Sequence, residues 1–331
     1  MMDEILEEFP RRFQALKEAV GQVMVGQDEV VDLVLTALFA DGHCLLEGLP
    51  GLGKTQLVKT LSEALGLKFS RIQFTPDLMP ADVTGTNIIE EDEHGRKRYA
   101  FREGPIFSQL VLADEINRAT PKTQSALLEA MQERTVTSWG ETRPIDRPLL
   151  VLATQNPIEM EGTYPLPEAQ LDRFLFKVLV PRPGRSELVE IVERSTRSHP
   201  PAAQTVMERE ELLRWQSTVR DVAAAPQVLD FAARLVEASH SDGARAPELV
   251  DRYVRFGASP RAAQSLVLAG KVRALADGRP QLAYMDLRWA APAVFRHRLV
   301  LGYEAQVDDV TADKITAALL EAVPDLAEDA A

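Results

Sequence analysis

The stretch that decides the fold is Gly48-Leu49-Pro50-Gly51-Leu52-Gly53-Lys54-Thr55. A short apolar run at residues 43–47 precedes it, and apolar residues at helical spacing follow it over residues 56–65. A glycine-rich loop that joins a strand to a helix and ends in Lys-Thr is the pattern of a phosphate-binding loop. Lys54 can then reach the β- and γ-phosphates, and Thr55 can ligate Mg²⁺. A turn that only reverses the chain is the alternative, but it does not account for Lys-Thr at the start of a helix.

Further apolar runs that fit buried parallel strands lie on both sides of this loop. Besides residues 43–47 they cover residues 69–74, 110–113 and 149–153, and helical patterns such as residues 122–133 lie between them. Two amphipathic helices, at residues 5–20 and 28–40, precede the first strand. Alternating strands and helices predict an α/β fold in which helices flank a parallel sheet.

Two segments interrupt this alternation with the pattern of β-hairpins. Short, partly alternating arms over residues 86–102 flank His94-Gly95, and a similar pattern surrounds Trp139-Gly140. The sequence therefore predicts two inserted hairpins. Both a surface that contacts a partner and a plain solvent-exposed hairpin fit their mixed charges.

The strand and helix alternation stops at residues 180–184, Val-Pro-Arg-Pro-Gly. From Ser186 onward the pattern is helical almost to the end, with breaks at His199-Pro200-Pro201 and at residues 225–226, 257–260 and 277–278. We therefore predict an α/β domain over residues 1–184 and a smaller all-helical domain over residues 185–331.

Composition excludes several classes of protein. The 331 residues include 45% hydrophobic and 26% charged residues, which is typical of globular domains. The net charge of −13 argues against broad attraction to nucleic acid. The acidic N-terminus, the absence of an apolar run of the roughly 18 residues that span a bilayer, and the single Cys44, expected to be a small buried residue of a strand, favour a cytoplasmic protein.

Polar side chains follow two of the predicted strands at the edge where ligands usually bind. Asp114 and Glu115 end one strand, where Asp114 can support Mg²⁺ and Glu115 can activate water. Asn156 follows the next strand and can orient that water or contact the γ-phosphate. Taken alone, the acidic pair is also compatible with a solvated turn or a helix cap, and Asn156-Pro157 with a turn.

Three stretches together resemble one known family. They are the phosphate-binding loop, residues 112–133 with the run Leu-Ala-Asp-Glu-Ile-Asn-Arg-Ala at their start, and residues 153–157 followed by residues 161–174. In these stretches the sequence is similar to the MoxR family of AAA+ ATPases. The resemblance extends from Val25-Gly26-Gln27 to Gly257-Ala258-Ser259-Pro260-Arg261. It implies an AAA+ nucleotide-binding domain with inserted hairpins, followed by an all-α lid.

The resemblance also implies roles for individual residues. Asp114 and Glu115 are similar to the Walker B pair and Asn156 to sensor 1. Arg173 is similar to an arginine finger that acts on a neighbouring subunit's nucleotide, and Arg261 to sensor 2 on the lid. Contacts with ATP are implied for Arg261 and for Val25, Gly26, Gly48, Pro50, Gly51, Leu52, Gly53, Lys54, Thr55 and Gln56.

The neighbouring residues favour different interpretations for Arg261 and Arg173. Ser259-Pro260 reads as a helix cap with proline at the first helical position, so Arg261 lies in the first turn, where a cation opposes the helix dipole. A bound phosphate would offset this unfavourable interaction with the dipole, so the position favours an Arg261 that contacts a phosphate. For Arg173, an ion pair with Asp172 or Glu168 on a solvated helix is the alternative. Arg118 and Arg134 also stay open as fingers.

The function that the resemblance implies is ATP hydrolysis with Mg²⁺ in a homo-oligomeric ring, a hexamer, that remodels or activates client proteins. MoxR-like proteins are linked to partners with a von Willebrand factor A domain and to the maturation of metal-dependent or multisubunit enzymes. Three alternatives stay open. They are a nucleic-acid motor, a magnesium-chelatase-like subunit of the related clade, and a nucleotide-controlled binding module that hardly turns over.

Overall fold

The computed structural model describes residues 2–91, 96–156, 162–196, 203–243 and 245–326. Up to residue 179 the strands are β1 (Cys44–Glu47), β2 (Phe69–Gln73), β3 (Gly85–Glu91), β4 (Lys97–Glu103), β5 (Leu110–Asp114), β6 (Thr135–Ser138), β7 (Glu141–Pro144), β8 (Leu150–Gln155) and β9 (Phe176–Leu179). The helices of this part are α1 (Met2–Gly21), α2 (Asp28–Phe39), α3 (Lys54–Leu65), α4 (Pro80–Thr84), α5 (Pro121–Glu133) and α6 (Glu168–Leu171).

Five parallel strands form the central sheet in the order β2-β5-β8-β1-β9, which confirms the predicted α/β architecture. The sequence predicts four of them. The strand that it misses, β9, is short, and Lys177 interrupts its apolar pattern. Lys177 forms an ion pair with Glu47 of the adjacent β1 at 2.8 Å, so a tertiary contact accommodates the charge in the strand.

The two faces of the sheet carry separate apolar clusters. Leu110 and Leu112 of β5 belong to the cluster that contains α1, α2 and α3, whereas Val111 and Ala113 belong to the cluster that contains α5. Successive residues of a strand point to opposite faces, so a strand covered by helices on both sides has no polar face. Cys44, as predicted, is a fully buried residue of β1.

The two predicted hairpins are present. The first pairs β3 with β4 and the second pairs β6 with β7, both antiparallel. The predicted turn at His94-Gly95 lies outside the described residues. Trp139 and Gly140 form the turn of the second hairpin, both with positive φ.

The two hairpins contact each other. Asn87 donates a hydrogen bond to the Ser138 hydroxyl (3.2 Å), and Arg143 lies over the ring of Phe101 at 4.1 Å. The rings of Tyr99 and Trp139 lie 5.4 Å apart although both side chains are largely exposed.

Beyond residue 184 the described chain is mainly helical. Its helices are α7 (Arg185–Ser195), α8 (Arg209–Asp221), α9 (Pro226–Glu237), α10 (Glu248–Tyr253), α11 (Pro260–Ala276), α12 (Tyr284–Phe295), α13 (Tyr303–Val307) and α14 (Ala312–Ala322). Short strands, which the sequence pattern does not reveal, form two small sheets: β10 (Ala223–Ala224) with β12 (Gln281–Leu282), and β11 (Val254–Phe256) with β13 (Val300–Leu301).

The predicted boundary at Gly184 falls between β9 and α7, and the division into two domains stays a prediction. The predicted break at residues 199–201 lies outside the described residues. In the part of the chain that the structure describes, no helix has both the length and the apolar character needed to cross a membrane.

An aromatic cluster joins the helical part to the N-terminal helices. Phe9 of α1 contacts Phe39 of α2 at a ring distance of 5.0 Å and Trp215 of α8 at 5.2 Å, in edge-to-face arrangements. All three side chains are almost completely buried. Burial of rings of this size is a major stabilising contribution, so α1 holds α2 and α8 together.

His43, at the start of β1, is buried in its neutral form. Its Nδ1 accepts a hydrogen bond from the Val151 N–H (3.1 Å), and its Nε2 lies 3.3 Å from the carbonyl oxygen of Met131, which fits an Nε2–H donor. Burial lowers the pKa of His43 to about 4, because the charged ring would lose its hydration.

This burial predicts a loss of stability in mild acid. The unfolded chain takes up a proton on His43 near pH 6.5, whereas the folded chain does so only near pH 4. The stabilising contribution is therefore complete above pH 6.5 and is lost as the pH falls toward 4. Between pH 7 and pH 5 we expect His43 to account for a loss of about 2 kcal/mol in the free energy of unfolding. Urea unfolding of the parent and of His43→Gln should differ in pH slope over this range, and equal slopes would contradict the assignment.

Candidate functional site

The loop between β1 and α3 has the backbone shape of an anion cradle. Gly51 and Gly53 have φ of 82° and 81°, a left-handed conformation that glycine adopts without strain. A Cβ on Gly51 would meet nothing within 4 Å, and one on Gly53 would lie 3.3 Å from the Met24 methyl carbon. α3 begins directly after the loop at Lys54, so its unpaired N–H groups and positive dipole end face this cradle.

Lys54 lies across the loop. Its Nζ donates hydrogen bonds to the carbonyl oxygens of Gly48 (2.6 Å) and Leu49 (3.1 Å). Burial lowers the pKa of Lys54, and the negative charges of Asp114 and Glu115 act in the opposite direction. The ammonium group is thus held beside the cradle by two carbonyl groups.

Asp114 is held in place by two neighbouring strands. Its Oδ1 accepts a hydrogen bond from the Thr154 hydroxyl of β8 (2.6 Å). Its Oδ2 accepts hydrogen bonds from Nη2 (2.6 Å) and Nε (3.2 Å) of Arg71 on β2.

Glu115 has a strained backbone, with φ of 55°. Its N–H donates to the same Thr154 hydroxyl (2.8 Å), which fixes the peptide between the two carboxylates. Its Oε2 accepts hydrogen bonds from Gln73 of β2 (3.0 Å) and from Arg118 (2.9 Å). The Glu115 side chain makes no cap for the short 3₁₀ helix that follows, so the helix-cap alternative does not describe it.

One cavity of about 440 Å³ brings these groups together. The predicted residues that line it are Pro50, Gly51, Gly53, Lys54, Thr55, Gln56, Asp114, Glu115 and Asn156. Three further lining residues, Arg71, Gln73 and Thr154, are missed by the sequence analysis. Arg71 and Gln73 alternate along β2, and two such polar residues in a predicted buried strand are a signal that could have drawn attention to them.

A second cavity, of about 530 Å³, adjoins the first and is mainly apolar. Of the predicted residues, Val25 and Leu52 line this cavity and not the first, and Leu188 and Ile191 of α7 also line it. It shares Gly51, Gly53 and Gln56 with the first cavity. The buried Gln27 donates a hydrogen bond to the Leu52 carbonyl (2.9 Å), which ties the segment around Val25 to the loop.

Gly26, also predicted to contact the nucleotide, lies beside this cavity with φ of 69°. The carboxylate of Glu187 occupies the space that a Cβ on Gly26 would need. A larger residue at this position would adopt a strained backbone conformation and would displace the Glu187 carboxylate.

Arg173 and Arg261 lie elsewhere. Both line a third cavity of about 500 Å³, and none of its lining residues belongs to the phosphate-binding loop. This cavity contains six arginines, Arg134, Arg147, Arg173, Arg220, Arg261 and Arg298, and two aspartates, Asp41 and Asp172. Its charge is therefore strongly positive although the whole chain is acidic.

The partners of these arginines differ. Arg134 forms an ion pair with the buried Asp41 at 2.8 Å, and Arg298 with Asp172 at 2.8 Å. Arg173 donates from Nη1 to the Leu128 carbonyl (2.7 Å), and its Nε is buried without a hydrogen-bond partner. Asp172 thus pairs with Arg298 and not with Arg173, which is contrary to the ion-pair alternative as far as Asp172 is concerned.

Comparison with known proteins agrees with this geometry. Residues 43–176 match the ATPase family associated with various cellular activities (AAA), and residues 246–319 match the AAA lid domain. The chain is 44% identical to Chaperone MoxR1 of Mycobacterium tuberculosis, over 92% of this chain and 80% of that protein. It is 32% identical to Protein MoxR of Methylorubrum extorquens, over 97% of each. A crystal structure of a candidate ATPase from Cytophaga hutchinsonii superposes with a TM-score of 0.90 at 37% identity, covering 97% of each chain.

The site predicts different defects for two substitutions. Lys54→Ala removes a cation that can move from loop carbonyls to phosphate oxygens, so ATP affinity should fall roughly 10- to 100-fold. Glu115→Gln keeps the size of the side chain but removes the carboxylate that we expect to act as the base, so ATP should still bind while hydrolysis falls by about 100-fold or more. Equilibrium binding of a fluorescent ATP analogue and steady-state phosphate release measure the two effects. Equal loss of binding in both variants would contradict the role given to Glu115.

Proposed function

Because the chain belongs to the MoxR family of AAA+ ATPases, we propose that it hydrolyses ATP at the cavity between the phosphate-binding loop and the end of β5. The observation that carries this proposal is the convergence of Lys54, Thr55, Asp114, Glu115 and Asn156 on that single cavity. Cation, hydroxyl, carboxylates and amide are the groups that phosphoryl transfer to water requires.

The residues of this cavity fit Mg²⁺. The Thr55 hydroxyl and the Asp114 carboxylate line the same space and supply oxygen donors, which Mg²⁺ prefers. Within the described ranges, no cluster of three or more His, Cys, Asp or Glu side chains could hold a metal. A site with one hydroxyl and one carboxylate therefore requires phosphate oxygens and water to complete it. When bound, Mg²⁺ neutralises charge on the phosphates.

The side chains around the cavity have different roles in ATP hydrolysis. Lys54 leaves the Gly48 and Leu49 carbonyls to contact the β- and γ-phosphates. Glu115 orients the attacking water and accepts its proton. Asn156 contacts the γ-phosphate or that water. The adenine base lies in the adjoining apolar cavity, against Val25 and Gly26.

A ring explains the separation of Arg173 and Arg261 from the loop of their own chain. Two arginines in a strongly positive cavity, one with a buried and unpaired Nε, fit the negative charge of a nucleotide phosphate. The cavity holds no residue of the phosphate-binding loop, so that nucleotide belongs to a neighbouring subunit. A closed ring gives every site such a neighbour, and family resemblance favours six subunits.

This arrangement predicts that the two halves of one site come from different subunits. Arg173→Ala should bind ATP normally and hydrolyse it on the order of 10³-fold more slowly. Mixing Arg173→Ala with Glu115→Gln subunits should restore part of the activity, because some interfaces then combine an intact arginine with an intact Glu115. Phosphate release from mixed and unmixed assemblies measures this. No recovery in verified mixed rings would contradict an arginine acting between subunits, and an unimpaired Arg173→Ala would transfer the role to Arg118 or Arg134.

ATP turnover in the ring remodels client proteins in this proposal. The relative from Mycobacterium tuberculosis is named a chaperone. The exposed aromatic pair Tyr99 and Trp139 on the hairpins offers an apolar surface of the kind that binds protein partners. The net charge of −13 favours a protein client over nucleic acid. A partner with a von Willebrand factor A domain rests on family resemblance.

The client proposal predicts a nucleotide-dependent capture. Glu115→Gln held in Mg-ATP should retain partners from an extract of the source cell, whereas Lys54→Ala should not, because it lacks the ATP-bound state. Mass spectrometry of the retained proteins identifies the partner class. Adding Trp139→Ala should reduce the capture, and Tyr303→Ala, which removes an exposed aromatic ring on α13, is the matched control. Retention of nucleic-acid machinery would favour the motor alternative, and equal capture by both nucleotide-site variants would contradict remodelling driven by ATP.

A further inference from the structure

The carboxylate of Asp172 connects the segment that carries Arg173 to the helix that carries Arg261. Its Oδ1 accepts a hydrogen bond from Nε of Arg298 (2.8 Å). Its Oδ2 accepts a hydrogen bond from the Ser259 hydroxyl (2.7 Å). A single side chain next to Arg173 is therefore held from two positions in the helical part of the chain.

Arg298 fixes the backbone on both sides of Arg173. Its guanidinium donates to the carbonyl oxygens of Phe174 (2.6 Å), Leu175 (3.2 Å) and Asp172 (3.3 Å). The side chain is almost completely buried. Burial lowers the pKa of Arg298, and the Asp172 carboxylate opposes that shift. A buried charge with this many hydrogen bonds allows few other positions for the segment.

Ser259 performs two tasks with one hydroxyl group. It is the N-cap of α11, where its oxygen accepts a hydrogen bond from the Arg261 N–H (3.2 Å). The same hydroxyl donates to Asp172. The first turn of α11, which carries Arg261, is thereby attached to the residue next to Arg173.

We propose that Asp172, Ser259 and Arg298 are positioning residues that hold Arg173 and Arg261 in one fixed arrangement, so that both guanidinium groups meet the phosphates of the same neighbouring nucleotide. This inference rests on the proposed action of the two arginines between subunits. Arginine binds phosphate through a planar fork, so the stabilisation that it gives to the charge developing during phosphoryl transfer depends on its orientation. Without the Asp172 link, the two arginines would be placed by separate parts of the chain.

Ser259→Ala removes the hydrogen bond between Ser259 and Asp172 and keeps the ion pair between Asp172 and Arg298. Asp172→Asn would instead leave the buried Arg298 without its negatively charged partner. We expect kcat for ATP to fall on the order of 10-fold or more, since a displacement of about 1 Å at a reacting group can cost about 100-fold. The KM for ATP should stay within about twofold, because the chain's own binding cavity is unchanged. Ser259→Thr keeps the hydroxyl and should restore most of the rate. Ser259→Gly removes the hydroxyl at a smaller cost to the helix cap and should resemble Ser259→Ala.

Thr311→Ala is the matched control. Thr311 caps α14 through a hydrogen bond from the Lys314 N–H and does not line the arginine cavity, so its loss weakens a helix end without touching the link. Its kcat should equal that of the parent. A parental kcat in both Ser259→Ala and Ser259→Gly, or an equal loss in Thr311→Ala, would overturn the proposal.

Mixed assemblies separate this inference from the proposed function. Ser259→Ala mixed with Glu115→Gln should regain activity as Arg173→Ala does, because both defects lie on the arginine side of an interface. If Arg173→Ala recovers and Ser259→Ala does not, Ser259 acts within its own site and the link is wrong. If Arg173→Ala itself fails to recover in verified mixed rings, the arrangement between subunits is wrong.

Discussion

The backbone hydrogen bonds that pair β8 with β1 on one side and with β5 on the other bring the site together. Their register sets Leu46 opposite Thr154 and Ala113 opposite Ala153. The loops that follow β1, β5 and β8 therefore start at the same level of the sheet. Thr154 then lies beside Asp114, and the N–H of Gly48 reaches the carbonyl of Gln155. A slip of one residue in β8 would turn Thr154 to the other face of the sheet and remove its hydroxyl from both the Asp114 carboxylate and the Glu115 N–H.

Much of the central sheet and of the candidate site is predictable from the sequence. The phosphate-binding loop, the acidic end of β5 and the apolar runs of the sheet depend on residues that are adjacent in the chain, and each carries a characteristic pattern. For Arg71 and Gln73 the sequence offers only the weak signal of two polar residues in an apolar strand, and for Thr154 it offers none, because the contribution of all three arises only when β2, β5 and β8 pair. The sequence does not predict β9 for a similar reason, since the partner that accommodates Lys177 lies on β1.

The arginine cavity is a feature that the order of motifs in the sequence does not predict. Motif order suggests that Arg173 and Arg261 act on nucleotide phosphates, but it does not tell which side of the molecule they occupy. The cavity gathers residues from α5, α8, α11 and the segments after β8 and α12, a grouping that only the packing of the helical part creates. Net charge does not reveal this cavity either, because an acidic chain here concentrates six arginines in one place.

The contacts between the two hairpins have a mechanical consequence. Because Asn87 contacts Ser138 and Phe101 contacts Arg143, the two hairpins form one connected unit that carries the exposed rings of Tyr99 and Trp139. This unit is connected to the central sheet at two places, since β4 leads into β5 and β7 leads into β8. A force applied at the two rings would therefore reach both strands that carry Asp114 and Thr154, and a movement of these strands would reach the rings through both hairpins.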